Sequence, residues 1–243
     1  PYRHLPLPSF RKRLEGRRSM AIRIDGTALA AKVKARAAEG GRALSRRPGL
    51  AVILVGDDPA SRVYVTGKEK DCAECGFVSF EHKLPAETSQ ETLLELIGRL
   101  NRDDAVDGIL VQLPLPGHLD EEAVLNAIDP EKDVDCFHPV NVGRLAIGSP
   151  VFLPCTPAGV MEMLKEYDIP VRGKQCVVLG RSNIVGKPMG ALLLQQDGTV
   201  ITCHSKTPDL AKYTREADIL VSAVGRVGLV TPDMVKEGAV GAW

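Results

Sequence analysis

The chain has no apolar run long enough to cross a membrane. Its longest, Leu50 to Val55 and Ile219 to Val224, are strand length, far below the roughly 20 residues a membrane helix needs. An excess of charge is also missing: 31 Lys and Arg face 31 Asp and Glu, so there is no basic field to recruit nucleic acid and no acidic tail. A small-molecule partner is the expectation, with no nucleic acid and no membrane. Cysteine is scarce. Six in 243 residues are too few for a disulfide scaffold, and their places inside apparent core elements point to reduced thiols and a cytoplasmic setting. The histidines show no metal-ligand spacing, so no metal is expected. There is no internal repeat and no low-complexity segment.

Residues 1–19 differ from the rest: six arginines and lysines stand among prolines, with Glu15 the only acid. An acid-poor, Arg-rich leader can be a mitochondrial transit peptide. The preferred expectation is that Met20 is the start and that the preceding residues are a non-native or disordered leader, since few of them could form an amphipathic apolar face.

From Met20 onward, helix and strand patterns alternate, the signature of parallel sheets covered by helices. Leu29 to Ala38 reads as a helix, and Leu50 to Val55 as a strand buried on both faces. A helix from about Ser61 to Cys75 is stopped by Gly76. Phe77 to Leu84 is a second strand, and Thr88 with Glu91 forms a capping box for the helix reaching Leu100. Gly108 to Leu113 is a third strand, ended by Pro114 and Pro116, which places Gln112 at a strand's C-terminal end, where open α/β sheets bind ligands. A helix from about Glu121 to Ile128 precedes the polar loop Asp129–Asp135. Thr156 and Pro157 read as N-cap and first residue of a helix through about Tyr167. Strands at Gln175–Leu179, Thr199–Cys203 and Ile219–Val224 follow, with helices between. The expected fold is therefore two α/β domains separated by a cleft: a catalytic domain over 20–155 and a Rossmann-like dinucleotide-binding domain over 156–243.

The strand ending at Leu179 runs into Gly180-Arg181-Ser182-Asn183-Ile184-Val185-Gly186 and then a helix. A glycine turn between strand and helix presents free backbone N–H groups and a helix dipole to a diphosphate. The spacing, Gly-x-Ser-x-x-x-Gly, departs from Gly-x-Gly-x-x-Gly, and alone could be an ordinary tight turn. An NAD site commonly has a carboxylate about 20 residues further on. Here the next strand ends in His204-Ser205-Lys206 with no acid. Arg181, Ser205 and Lys206 offer cationic and hydroxyl donors suited to a 2′-phosphate, so NADP is expected rather than NAD. Val224 and Gly225, at the end of the third strand, complete the candidate cofactor-binding set of Gly180, Arg181, Ser182, Ile184, Val185, Gly186, His204, Ser205 and Lys206.

Tyr64 and Lys68 are one helical turn apart and share a face. A lysine is a poor base near neutral pH unless its surroundings favour the neutral form, while charged it can donate protons or steady an anion. Tyr-x-x-x-Lys also occurs in short-chain dehydrogenases, but there the nucleotide turn precedes the pair. Here the order is reversed. Cys72-Ala-Glu-Cys75 spells a redox or half-zinc motif, yet it lies near a helix C-terminus, where the dipole does not lower a thiol pKa, and a structural role is expected. Cys155 and Cys203 are read as packing or pocket-lining.

Five ordered segments resemble one family: Val55-Gly-Asp-Asp-Pro-Ala-Ser61 with Tyr64 and Lys68; Asp107 to Pro116; Pro130-Glu-Lys-Asp-Val-Asp135; Pro154-Cys-Thr-Pro157; and Gly180 to Gly186. Together, from about Met20 to Val240, they are similar to the bifunctional methylenetetrahydrofolate dehydrogenase/cyclohydrolases. The resemblance implies NADP-dependent oxidation of 5,10-methylenetetrahydrofolate and hydrolysis of the methenyl product to 10-formyltetrahydrofolate. It implies that Tyr64 stacks on the p-aminobenzoate of the folate, Lys68 is the catalytic lysine, Gln112 orients it, Asp135 grips the pterin, and Pro114 and Leu115 wall the cleft. It also implies a homodimer. A monofunctional dehydrogenase of the same family, or a non-catalytic NADP-binding module, are the alternatives.

Two departures stand out. Cys136 occupies a position where the family usually has glycine. The chain also stops at Trp243, as a strand begins after Gly238, whereas the family continues with a further strand, loop and helix. On that ground the expectation is a truncated product, with an open sheet edge and weak or no activity.

Overall fold

The computed structural model describes residues 21–242, so the expectations for residues 1–19 lie outside the described residues. Two parallel sheets organise them. In the first, β1 (Gly49–Val55) is flanked by β2 (Val78–Leu84) and β3 (Gly108–Val111), in the order β2-β1-β3. Ala51, Val52 and Ile53 have no exposed surface, which explains the unbroken apolar run: a central parallel strand is covered on both faces. On one face α3 (Gln90–Arg102) and α4 (Glu121–Asn126) bury Leu93, Ile97 and Val124 against Ile53 and Ile109. On the other, Val65 of α2 (Pro59–Cys75) packs on Val52, Leu54 and Leu110. At the N-terminus, Asp25 caps α1 (Gly26–Arg42) through the Ala28 N–H.

The second sheet has the order β5-β4-β6-β7, with β4 (Gln175–Leu179) between β5 (Thr199–Cys203) and β6 (Ile219–Ser222). β7 (Val240–Ala242) lies parallel to β6 and forms the outer strand on that side. One core joins Val178, Met189 and Leu193 to Leu164, Leu145 and Cys136; the other joins Val177 and Leu220 to Tyr213. The helices on this sheet are α6 (Cys155–Glu166), α7 (Gly186–Gln195) and α8 (Leu210–Thr214).

Helix α2 follows its sequence signals: Asp58 accepts from the Ser61 N–H, Pro59 begins the helix, and Gly76 ends it in the left-handed region at φ 75°, a conformation glycine adopts at no steric cost. Two expected caps are corrected. Ser89, not Thr88, caps α3 and accepts from the Thr92 N–H at 3.2 Å, because the Thr88 hydroxyl is already committed to the Pro85 carbonyl at 2.7 Å. Helix α6 begins one residue before Thr156, after an extended Pro154, and has no side-chain cap. A helix that the sequence reading passed over, α5 (Pro139–Ala146), fills the stretch after Asp135, with His138 as its cap and Pro139 opening its first turn.

Both sheets reverse their winding beside the central strand, between β1 and β3 and between β4 and β6. Open α/β sheets bind ligands at the carboxyl ends of such strands, and the candidate residues of each half lie there.

Candidate active site

In the first half, α2 leaves the end of β1 and brings Lys68 toward the end of β3. Lys68 Nζ donates to Gln112 Oε1 at 2.9 Å, and Gln112 Nε2 donates to the Leu113 carbonyl at 2.8 Å. The second bond fixes which end of the amide faces the lysine, since only its oxygen can accept. The Gln112 N–H still pairs with the Ile53 carbonyl at 2.9 Å, so this side chain stands on the sheet itself. The Leu113–Pro114 peptide is cis. Pro114 is exposed, and Leu115 packs against the first core. Tyr64, one turn before Lys68, is 65% exposed, leaving its ring face free for a flat partner.

Asp135 reaches the same place from the loop after α4. Burial pushes its carboxyl above the usual carboxylate range, the nearby Lys68 ammonium pulls the other way, and Asp133 adds to the rise. The Cys155 thiol donates to Asp135 Oδ1 at 3.7 Å. Cys155 is exposed by surface area, but partial desolvation of its thiol and the Asp135 charge hold it above its ordinary pKa, so it remains an S–H donor. Lys68, Gln112 and Asp135 are thus brought together as expected, and Cys155, read only as lining, touches the carboxylate. Its signal in the sequence was slight: a lone cysteine at the first residue of α6. The other cysteines are structural in placement. All six are free; Cys72 and Cys75 lie at the end of α2 with pKa values raised by burial, and Cys203 is buried in the second core.

The second half forms the glycine turn. Gly180 has φ 112°, and a Cβ there would lie 2.7 Å from the Ala223 carbonyl oxygen; at Gly186 a Cβ would lie 2.3 Å from the Gly180 oxygen. Neither position admits a side chain. Ser182 takes the place of the middle glycine and closes the turn, its Oγ accepting from the N–H groups of Val185 and Gly186 at 3.2 and 3.3 Å. The Lys187 N–H pairs with the Ser182 carbonyl, and Pro188 has no N–H. The donors available to an anion are therefore those of the turn, at Arg181, Ser182, Asn183 and Ile184, which have no partner among the described residues. The cradle fits a diphosphate: exposed unpaired donors at a helix N-terminus, with close approach secured by glycine.

Val224 lies against Gly180, and the exposed Gly225 has φ 59°. At the end of β5 the His204–Thr207 turn closes on itself, the His204 N–H bonding Thr207 Oγ1 at 2.9 Å and His204 Nδ1 accepting from the Lys206 N–H at 3.2 Å. Ser205, Lys206 and Arg181 are left exposed, and no carboxylate occurs between Thr199 and Pro208. Among the described residues, no cluster of metal-ligating side chains exists, and no helix is long and apolar enough to cross a membrane.

Comparison with known proteins gives two successive matches. Residues 24–135 match the catalytic domain of the tetrahydrofolate dehydrogenase/cyclohydrolases, and residues 154–241 match their NAD(P)-binding domain. The bifunctional protein FolD of Acetivibrio thermocellus is 64% identical over 193 residues, covering 79% of this chain and 68% of that protein. Its counterpart in Ruminiclostridium cellulolyticum is 58% identical over 220 residues, covering 89% and 78%. Among solved structures, the bifunctional FolD of Campylobacter jejuni aligns with a TM-score of 0.87 at 51% identity, over 90% of this chain and 79% of that one. The Trypanosoma brucei enzyme, complexed with NADP cofactor and inhibitor, aligns with a TM-score of 0.87 at 44% identity, over 91% and 77%. With both halves matched in order and the lysine, glutamine and aspartate converging in space, this chain belongs to the tetrahydrofolate dehydrogenase/cyclohydrolase family.

Proposed function

We propose that Tyr64, Lys68, Gln112 and Asp135 form one active site for two consecutive reactions on a folate, with Pro114 and Leu115 beside them as its wall. The enzyme oxidises 5,10-methylenetetrahydrofolate to the 5,10-methenyl compound with NADP, and hydrolyses that to 10-formyltetrahydrofolate. The Lys68–Gln112 hydrogen bond carries this reading. It spends one of the three lysine protons on an oriented amide and leaves the others for the cleft.

NADP supplies the hydride acceptor when bound at the Gly180–Gly186 turn, with Val224 and Gly225 alongside. The free N–H groups of Arg181, Ser182 and Ile184 would hold the diphosphate region, with Gly180, Val185 and Gly186 shaping the turn around it, and Arg181, Ser205 and Lys206, with His204 shaping their turn, would hold the 2′-phosphate. The protein's contribution to the oxidation is positioning. Tyr64 offers a ring face to the p-aminobenzoate, and Asp135 accepts hydrogen bonds from the amidine-like edge of the pterin. In the hydrolysis, water adds to the cationic methenyl carbon and loses a proton; the bond from that carbon to the departing ring nitrogen then breaks as the nitrogen is protonated and the remaining O–H proton leaves to form the formyl C=O, for a net release of one proton. Lys68 is the group placed to move these protons.

We further propose a homodimer formed along β2, the outer strand of the first sheet, whose unpaired backbone edge a second copy's strand would continue. The finding of six free thiols favours a cytoplasmic enzyme. The test is direct: follow NADPH formation from methylenetetrahydrofolate, then decay of the methenyl product. NADP binding with neither reaction would leave only a binding module.

A further inference from the structure

Asp135 stands on a loop that is tied to both halves of the molecule. Toward the first half, the Ile109 N–H donates to the Lys132 carbonyl at 2.7 Å, so the loop runs as a short extra strand beside β3. Lys132 Nζ reaches back to the carbonyls of Leu100 and Asp103 at the end of α3, at 3.1 and 2.8 Å, and the Asp129 N–H bonds Asn101 Oδ1 at 2.9 Å. Lysine at a helix C-terminus satisfies carbonyls that the helix cannot.

Toward the second half the tie is Asp133, which is 2% exposed. Its carboxylate accepts from the Phe137 N–H at 3.2 Å, the His138 N–H at 2.9 Å and Asn141 Nδ2 at 2.9 Å. Asn141, with no exposed surface, also donates from Nδ2 to the Pro130 carbonyl at 2.8 Å. Both partners are acceptors, so the amide can face them only with its nitrogen. Its Oδ1 is left buried without a partner among the described residues. A buried acceptor left unpaired costs stability, a cost offset by the two bonds that Nδ2 gives to Asp133 and Pro130. The amide is held for what it aligns.

What it aligns is α5. Leu145 of α5 is buried with Met189, Leu192 and Leu193 of α7, and Gln195 of α7 donates to the Leu145 carbonyl. Helix α7 is the one that starts at the dinucleotide turn. A continuous path therefore runs from the loop of Asp135, through the Asp133–Asn141 pair and α5, to the helix of the cofactor site.

We propose that Asp133 and Asn141 are positioning residues: they aim Asp135 at the folate and fix that wall relative to α7. This rests on the reading of Asp135 as the pterin-binding carboxylate. Misplacing a binding group by a fraction of its bond length is enough to lose much of its contribution.

The test measures equilibrium binding of tetrahydrofolate by calorimetry in the chain described, with NADP binding and thermal midpoint as controls, for Asp133→Asn, Asn141→Ala, Asp133→Asn with Asn141→Asp, and Asp135→Ala. Asp133→Asn and Asn141→Ala are expected to weaken tetrahydrofolate on the order of tenfold while leaving NADP within about twofold. The exchanged pair restores one donor facing one acceptor but turns a carboxylate toward the Pro130 carbonyl, so it should recover little of the loss of Asp133→Asn. A purely structural role would instead lower the thermal midpoint and weaken both ligands together. Wild-type tetrahydrofolate affinity in folded Asn141→Ala overturns the proposal even if Asp133→Asn fails to fold. Wild-type affinity in Asp135→Ala overturns instead the reading beneath it.

Discussion

Lys68 Nζ lies 2.9 Å from Gln112 Oε1, and Gln112 is itself pinned to the Leu113 carbonyl at 2.8 Å. The lysine is thus held from a strand end, not from its own helix. Gln112→Ala removes the acceptor, and with it the tie to the Leu113 carbonyl. It should lower turnover in the hydrolysis about ten- to a hundredfold, with NADP affinity unchanged. Lys68→Met should abolish hydrolysis of the methenyl compound altogether. Stopped-flow decay of that compound checks both, and a wild-type rate in Lys68→Met would remove Lys68 from the mechanism.

Asp135 bears on pH through its raised pKa. Folate binding that needs the carboxylate should fall away on acidification at a higher pH than an ordinary aspartate would give. Stability runs the other way. A carboxyl with a folded-state pKa above its unfolded value binds more protons folded than unfolded, so its contribution declines as pH rises through that window. Asp135→Asn should therefore unfold at a higher temperature than the parent at neutral pH. The gap should close below the ordinary carboxylate range. Thermal melts across pH, paired with tetrahydrofolate titrations, measure the two effects separately.

Cys155 is expected to matter as a hydrogen-bond donor, not as a nucleophile. Cys155→Ser keeps a donor toward Asp135 and should retain folate affinity within about threefold, whereas Cys155→Ala should weaken it by more, each hydrogen bond to a charged group being worth about 1.5–3 kcal/mol. Equal losses in the two variants would show that the contact at 3.7 Å carries no weight.

The sequence was most legible where local chemistry decides. Asp58, Pro59 and Gly76 bracket α2 as they should, and the apolar runs of β1, β4 and β6 are central strands. It was least legible where a partner distant in sequence decides. Thr88 has the right type for a cap but spends its hydroxyl on Pro85. The short helix α5 has an opening proline and only two buried residues, too weak a pattern to stand out. The Lys68–Gln112 contact spans 44 residues and the Asp135–Cys155 contact 20; only the family resemblance suggested the first, and for the second there was no more than a cysteine read as packing or pocket-lining. Asp133 and Asn141 passed as ordinary loop polarity because their burial arises only when α5 docks.

Cys136 tests how far that loop depends on its backbone. It has φ 58° and is buried in the second core. A side chain in the left-handed region costs about 1–2 kcal/mol, and glycine removes that cost. Glycine also forfeits the buried thiol and adds unfolded-state entropy, about 0.5–1 kcal/mol for the latter. The opposing terms should leave Cys136→Gly within about 1 kcal/mol of the parent. Cys136→Val, with a branched Cβ in the same conformation, should be destabilised by more than about 2 kcal/mol. Urea denaturation separates these outcomes, and a valine variant as stable as the parent would mean that the loop can leave this conformation freely.

The two reactions should also be separable at the glycine turn. Gly186→Ala forces a Cβ to within 2.3 Å of the Gly180 oxygen, and Gly180→Ala adds a Cβ at φ 112° and 2.7 Å from the Ala223 oxygen. Both contacts are to backbone, so the turn itself must move, and the donors of Arg181 to Ile184 move with it. NADP binding and the oxidation should be lost by at least about a hundredfold. Hydrolysis of the methenyl compound consumes only water and uses groups of the first half, so it should persist at a substantial fraction of the parent rate. Parallel loss of hydrolysis in a Gly186→Ala protein that still melts cooperatively would mean that the cofactor turn also shapes the folate cleft, and the two halves would then have to be treated as one catalytic unit.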